Sequence, residues 1–235
     1  VTLTIHPIPG IPEIRHGDDL PSLILQAIRA AGHELADGDV LVVTHKIVSK
    51  AEGAVRPLEG DDEDAAYRRI VLDEAQEVIR RRGDLVIGIT RHGFICANAG
   101  VDRSNAAGGT AVLLPIDPDR SAHGIRMALE AATGARIAVV VSDTFGRPWR
   151  RGLTDVAIGL SGMEAILDLK GTFDATGREL HVTEVAVVDE IAAAADLVMG
   201  KATQIPVALL RGLNWNRGEG RATDLIREAS EDLFR

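Results

Sequence analysis

A single cysteine, Cys96, among 235 residues excludes an internal disulfide and any zinc site built on several thiolates. Aromatic side chains make up only 3%, which argues against a surface that stacks bases on rows of rings and leaves Val, Ile, Leu and Ala to build the core. Positive charge is in deficit: 26 Lys and Arg against 35 Asp and Glu give a formal charge of −9, a poor start for nucleic-acid binding by counterion release. No apolar run approaches the roughly 20 residues of a membrane span, and the N-terminus has no charged segment leading into an apolar one. A reduced, cytoplasmic protein is the expectation. Several chemical motifs are also missing: there is no Gly-x-x-x-x-Gly-Lys-Ser/Thr phosphate loop, no Gly-x-Gly-x-x-Gly after the first strand, no Gly-x-Ser-x-Gly elbow and no His-Glu-x-x-His. Nucleophilic hydrolysis and zinc proteolysis therefore lack support.

What is present is 46% hydrophobic residues, enough for a sizeable core in one compact unit of this length. The pattern predicts a strand over Val1 to His6 and a proline-rich extended loop to Ile14. A helix follows, capped by Asp18 or Asp19, with Pro21 in its first turn and its end near Gly32. Val40 to Thr44 reads as a strand, Asp61 to Arg82 as one long amphipathic helix, Asp84 to Thr90 as a strand, and Arg91 to Val101 as its return through His92-Gly93. Thr110 to Pro115 reads as a strand and Asp117 to Gly134 as a helix capped by Asp117 or Asp119. Ile137 to Val141 reads as a strand buried on both faces. Beyond it come a loop from Ser142 to Gly152, a short helix over Ala157 to Leu160, a hairpin over Ile166 to Leu180 and a helix from Glu184 to Met199. Pro206 to Leu210 is expected as a strand and Asp224 to Leu233 as a final helix. The mixture of hairpins and partial alternation predicts α+β, with mixed or antiparallel sheets and flanking helices. One domain covers 1–235, with a smaller lobe around 145–185.

Chemistry concentrates at strand exits. Ser142-Asp143-Thr144 ends the buried strand and is followed by Arg147, Arg150 and Arg151, which pairs hard-cation ligands with groups suited to phosphate or to an acidic substrate tail. The loop Ala99 to Gly109 holds Asp102, Ser104 and Asn105 between glycines and suits either a tight turn or a metal and phosphate cradle; a second acidic loop at Asp143-Thr144 favours the cradle. Lys46 and Lys50, four apart after a strand, face one side if the segment coils into a helical turn. His92 reads as a turn histidine and Cys96 as a small core residue.

Five segments in order resemble a known family. They are Pro9-Gly10-Ile11-Pro12-Glu13, Lys46-Ile47-Val48-Ser49-Lys50-Ala51-Glu52-Gly53, Ala99-Gly100-Val101-Asp102-x-Ser104-Asn105, Ser142-Asp143-Thr144-Phe145-Gly146-Arg147-x-Trp149-Arg150 and Thr183-Glu184-Val185-Ala186 through Asp189-Glu190-Ile191 to Leu197. Together they are similar to the coenzyme F-420-0:L-glutamate ligases, or gamma-glutamyl ligases. The resemblance implies a GTP-dependent ligase, an intertwined homodimer, that adds L-glutamate in γ-linkage to the deazaflavin coenzyme precursor with Mg²⁺ or Mn²⁺ at two sites, and K⁺. By position it implies Asp102 and Asp143 as ligands of a first metal and Thr144 as a contact to a second. It implies Ile11, Pro12, Glu13, Ile14, His45, Lys50 and Asn105 at the nucleotide, and Lys50, Asp102 and Asp143 as the catalytic set. Archaeal members tend to have a glutamine metal ligand near the position of Lys201, which cannot ligate while protonated. Two other readings compete: another nucleotide-dependent amide ligase, and a protein that binds nucleotide or deazaflavin without turnover.

Overall fold

A computed structural model describes residues 2–103 and 109–233. In chain order the elements are β1 (Thr4–Pro7), α1 (Leu20–Ala30), β2 (Val40–Thr44), α2 (His45–Glu52), β3 (Val55–Pro57), α3 (Glu63–Glu74), β4 (Ala75–Arg82), β5 (Leu85–Thr90), β6 (Ile95–Ala97) and β7 (Thr110–Val112). They continue with α4 (Pro118–Thr133), β8 (Ala138–Arg147), β9 (Arg150–Ser161), β10 (Leu167–Asp168), β11 (Glu184–Val185), α5 (Val187–Met199) and β12 (Val207–Arg211).

The main sheet has five strands in the order β1-β12-β2-β8-β9, and only β2 and β8 run parallel. Val40 to Val43 and Ala138 to Val141 are fully buried, as a central pair covered on both faces must be. Helices α4 and α5 both pack on β8 and β9, and the two-sided burial of β8 sets them on opposite faces; α1 packs on α4. The fold is therefore α+β with a mixed main sheet, as expected. A second, smaller apolar cluster, including Leu58, Ile70, Val86, Val101 and Leu113, lies beneath α3.

Local chemistry places the helix starts. Asp19 accepts from the Ser22 amide and Asp117 from the Arg120 amide, each with a proline in the following turn. Gly53 ends α2 in the left-handed region at φ 75°, and a Cβ there would meet the His16 ring at 2.9 Å.

Five expectations are corrected. The helix expected over Asp61 to Arg82 stops at Glu74, and 75–82 is the edge strand β4 paired with β5. Arg80, Arg81 and Arg82 line that sheet edge, where charge blunts pairing with another chain. The loop expected from Ser142 is a continuation of β8, which turns tightly into β9, and the short helix expected over Ala157 to Leu160 is part of that strand. Gly159 suits β9 for a packing reason: a Cβ would lie 2.5 Å from the Pro118 backbone. The 166–180 hairpin is wider than expected, since Leu167 pairs with Val185, while Phe173 bridges to Glu179 within it. The final helix is replaced by two 3₁₀ turns, Ala222–Leu225 and Ala229–Glu231. Among the described residues no helix is long and apolar enough to cross a membrane.

Candidate functional site

The site forms where the two parallel strands end. Thr44, the last residue of β2, pairs with Ser142, so His45 at the start of α2 and Asp143, still within β8, come side by side where the parallel pairing ends. β2 passes directly into α2, and the Thr44 side chain does not cap that helix. Its first amides are thus oriented toward the same space, the arrangement in which helix N-termini receive anions. His45 is buried and its Nε2 lies 3.2 Å from Asp143 Oδ1, but without hydrogen-bond alignment. The Thr144 amide donates to Asp143 Oδ1 at 2.7 Å.

The next residue of α2 gathers the other acidic loop. Lys46 Nζ lies 2.7 Å from Asp102 Oδ2, and Asp102 is held in place by reciprocal backbone bonds with Val112 at 2.8 Å. The two aspartates, 41 positions apart, therefore attach to consecutive residues in the first turn of α2. One turn further on, Lys50 Nζ pairs with Glu13 Oε1 at 2.6 Å, which ties the 11–14 segment to the same helix. Ile14 in that segment is buried, Ile11 half-buried, and Pro12 and Glu13 exposed. Lys46 and Lys50 do share a helix face, but each serves a different carboxylate. Asn105 lies outside the described residues.

On the opposite side of the β8–β9 ribbon, Thr144 stands across from Asp155. Asp155 is 3% exposed, and its oxygens accept from Thr144 Oγ1 at 2.7 Å and Ser142 Oγ at 3.2 Å. Lys201 reaches in from the segment after α5, placing Nζ 2.6 Å from Asp155 Oδ1, 2.7 Å from Asp196 Oδ1 and 2.8 Å from Thr144 Oγ1. Reading the chain linearly missed Asp155 and the pairing of Lys46 with Asp102. The available signal was the near-mirror Ser-Asp-Thr and Thr-Asp flanking a Gly/Pro turn, which becomes legible once 142–161 is read as one hairpin.

Arg147, Arg150 and Arg151 lie at the exposed hairpin tip, where Arg147 Nη2 donates to the Arg151 carbonyl at 2.8 Å. Phe145, two residues beyond Asp143 and on the same face of β8, borders an apolar cavity of about 450 Å³ whose walls include Phe94, Val156, Ile226 and Asp189. Asp189 accepts from the Ala157 amide at 2.9 Å, and burial holds its carboxyl above the usual range.

His92 occupies the expected turn. Its Nε2 faces the carbonyls of Pro115 and Ile116 at 2.9 and 3.1 Å, and burial pushes its pKa down. Cys96 is a core residue as expected, and burial, reinforced by the Asp143 charge, pushes its thiol up to about 12. At about pH 8.5, where an ordinary thiol is half ionised, the folded protein is expected to leave a disulfide reagent unreacted. Denaturant should release one thiol per chain; rapid native labelling at the same pH would contradict the burial.

The donor set suits a hard divalent ion of a particular kind. Among the described residues no three His, Cys, Asp or Glu side chains cluster as an all-protein metal cage. Two carboxylates beside uncapped helix amides match instead the way Mg²⁺ binds, through one or two carboxylates with phosphate oxygens and water completing the shell. The buried, unbonded His45 Nε2 marks the same space as polar and unsatisfied. Around Thr144 the fit is different, because an ammonium already lies between the oxygens.

The family model described as F420-0:Gamma-glutamyl ligase matches residues 10–212. Among similar proteins are three named coenzyme F420:L-glutamate ligase. That of Methanothermobacter thermautotrophicus is 43% identical over 97% of each chain. That of Methanopyrus kandleri is 42% identical over 100% of this chain and 98% of its own. That of Archaeoglobus fulgidus is 40% identical over 98% and 96%. With the likeness running almost end to end, this chain belongs to the F420-0:gamma-glutamyl ligase family.

Proposed function

We propose that the protein is a GTP-dependent ligase that joins L-glutamate to the carboxylate of the deazaflavin coenzyme F-420 precursor in γ-linkage, with Mg²⁺ or Mn²⁺ and K⁺. The observation that carries this reading is the delivery of Asp102 and Asp143 to adjacent residues of one helix N-terminus. The names of the similar proteins supply the acceptor and the amino acid.

The chemistry runs in two steps. The acceptor carboxylate oxygen attacks the γ-phosphorus of GTP, the bond to the bridging oxygen breaks, and GDP leaves. The glutamate amine then attacks the acyl phosphate carbonyl, phosphate departs with the bonding electrons, and the amine loses a proton as the amide forms. The first step brings a carboxylate against a triphosphate, so positive charge has to offset the repulsion. A divalent ion held by Asp102 and Asp143 supplies most of that charge when bound. The first amides of α2 orient the phosphates, Lys46 holds Asp102 in place, and Lys50 with the 11–14 segment borders the nucleotide. The cavity beside Phe145 offers the acceptor ring system an apolar wall, and Arg150 and Arg151 suit its acidic end. A homodimer would cover Val78, Leu85 and Ile95, apolar side chains left exposed on β4, β5 and β6.

Incubation with GTP, glutamate and the precursor, followed by mass spectrometry, tests the reading. The product should gain one glutamyl residue with stoichiometric GDP. GDP release without amide product would point to another acceptor, and neither product would refute the assignment.

A further inference from the structure

We infer that Lys201 supplies the positive charge that a second metal ion would supply on the far side of the β8–β9 ribbon, so that this chain works with a single divalent ion per site. The inference rests on the ligase reading above and concerns how the same site is assembled.

The Lys201 ammonium lies within 2.8 Å of three oxygens drawn from three elements: Thr144 Oγ1 on β8, Asp155 Oδ1 on β9 and Asp196 Oδ1 on α5. An ammonium has three N–H donors and no lone pair, so this set satisfies it completely. Thr144 can take part because its own hydroxyl hydrogen goes to Asp155 Oδ1, which leaves a lone pair facing Lys201. Two carboxylates and a hydroxyl converging on one point would equally suit a small hard cation. Asp155 is almost fully buried, and a carboxylate in that position requires a compensating charge. Lysine provides it as part of the chain, and while protonated it leaves no coordination site between these oxygens.

The arrangement also connects to the reacting centre. Lys201 fixes the Thr144 side chain, and the Thr144 amide donates to Asp143 Oδ1. Lys201 is thus a positioning residue for Asp143, acting through one intervening residue and adding a fixed charge beside it.

Counting bound Mn²⁺ in the presence of GDP, by equilibrium dialysis of the full chain, separates this from a plain structural tie. Lys201→Gln should bind one more Mn²⁺ per chain than the wild type, because the freed oxygens of Thr144, Asp155 and Asp196 then accept an ion. Lys201→Arg, which keeps the charge, should bind no more than the wild type. If Lys201→Gln does not fold, Lys201→Ala leaves the same oxygens and should show the same gain. An unchanged count in a folded Lys201→Gln or Lys201→Ala protein, even with a lower melting temperature, would overturn the inference. The wild-type count tests the ligase reading separately. One ion agrees with both ideas, two overturn the present inference, and none contradicts the cation held by Asp102 and Asp143 while the gain in the variants still decides the role of Lys201.

Discussion

Asp143→Asn is expected to lower the rate of GDP formation by about 1,000-fold, a loss on the order of 4 kcal/mol of transition-state stabilisation. The substitution keeps the shape of the side chain and an oxygen for the Thr144 amide, so the hairpin has no reason to rearrange. What it removes is the charge that, in the proposed mechanism, would hold the cation beside the triphosphate. Asp102→Asn should behave the same way for the same reason, since its carboxylate reaches the first turn of α2 from the other loop. Because the proposed mechanism has both residues serving one ion, the double variant should be scarcely worse than either alone. Steady-state rates with the melting temperature as a control decide this. A tenfold effect or less would mean that the two carboxylates only support the loops.

Replacing Arg211 by Met should cost stability and leave the chemistry alone. Asp39 is 1% exposed, and Arg211 grips it with Nε to Oδ1 at 2.8 Å and Nη2 to Oδ2 at 2.7 Å. Nη2 also reaches the Glu34 carbonyl at 2.7 Å, and the Ala36 amide adds a further bond to the carboxylate. Removing the guanidinium strands a buried negative charge that keeps the Ala36 amide as a donor. Breaking a buried pair costs about 3–5 kcal/mol; part of Arg211 reaches solvent, so about 3 is expected, or roughly 6–12 °C in melting temperature for a chain of this size. The pair lies at the end of the sheet where Leu210 meets Val40, opposite the end that leads into His45. The folded variant should therefore retain its turnover at low temperature. A variant that melts normally would show that the pair contributes little.

The same separation explains what the chain revealed before its structure was known. The strands Val40 to Val43 and Ile137 to Val141 were legible because a run buried on both faces needs no polar alternation, and their polar exits marked the site. The aspartate caps at 19 and 117 were legible because capping is a local contest between a side chain and nearby amides. The stretch 75–82 was not. Its apolar residues fit a helical face as well as a strand, and only the distant pairing with 85–90 decides between them. Val156, Ile158 and Leu160 alternate as a strand does, but the run is short, and 157–160 alone fits the expected helical turn as well. That hid the hairpin, and with it Asp155 opposite Thr144. The cage around Lys201 depends on three separate elements meeting, which residue spacing along the chain does not encode.

The most direct test of the account is the anomalous scattering of manganese in a crystal of the protein grown with Mn²⁺ and GDP. One peak should lie about 2.1 Å from a carboxylate oxygen of each of Asp102 and Asp143, with a GDP phosphate oxygen completing the contact at the start of α2. A peak bonded to neither residue, or carboxylates that point into separate cavities, would contradict it.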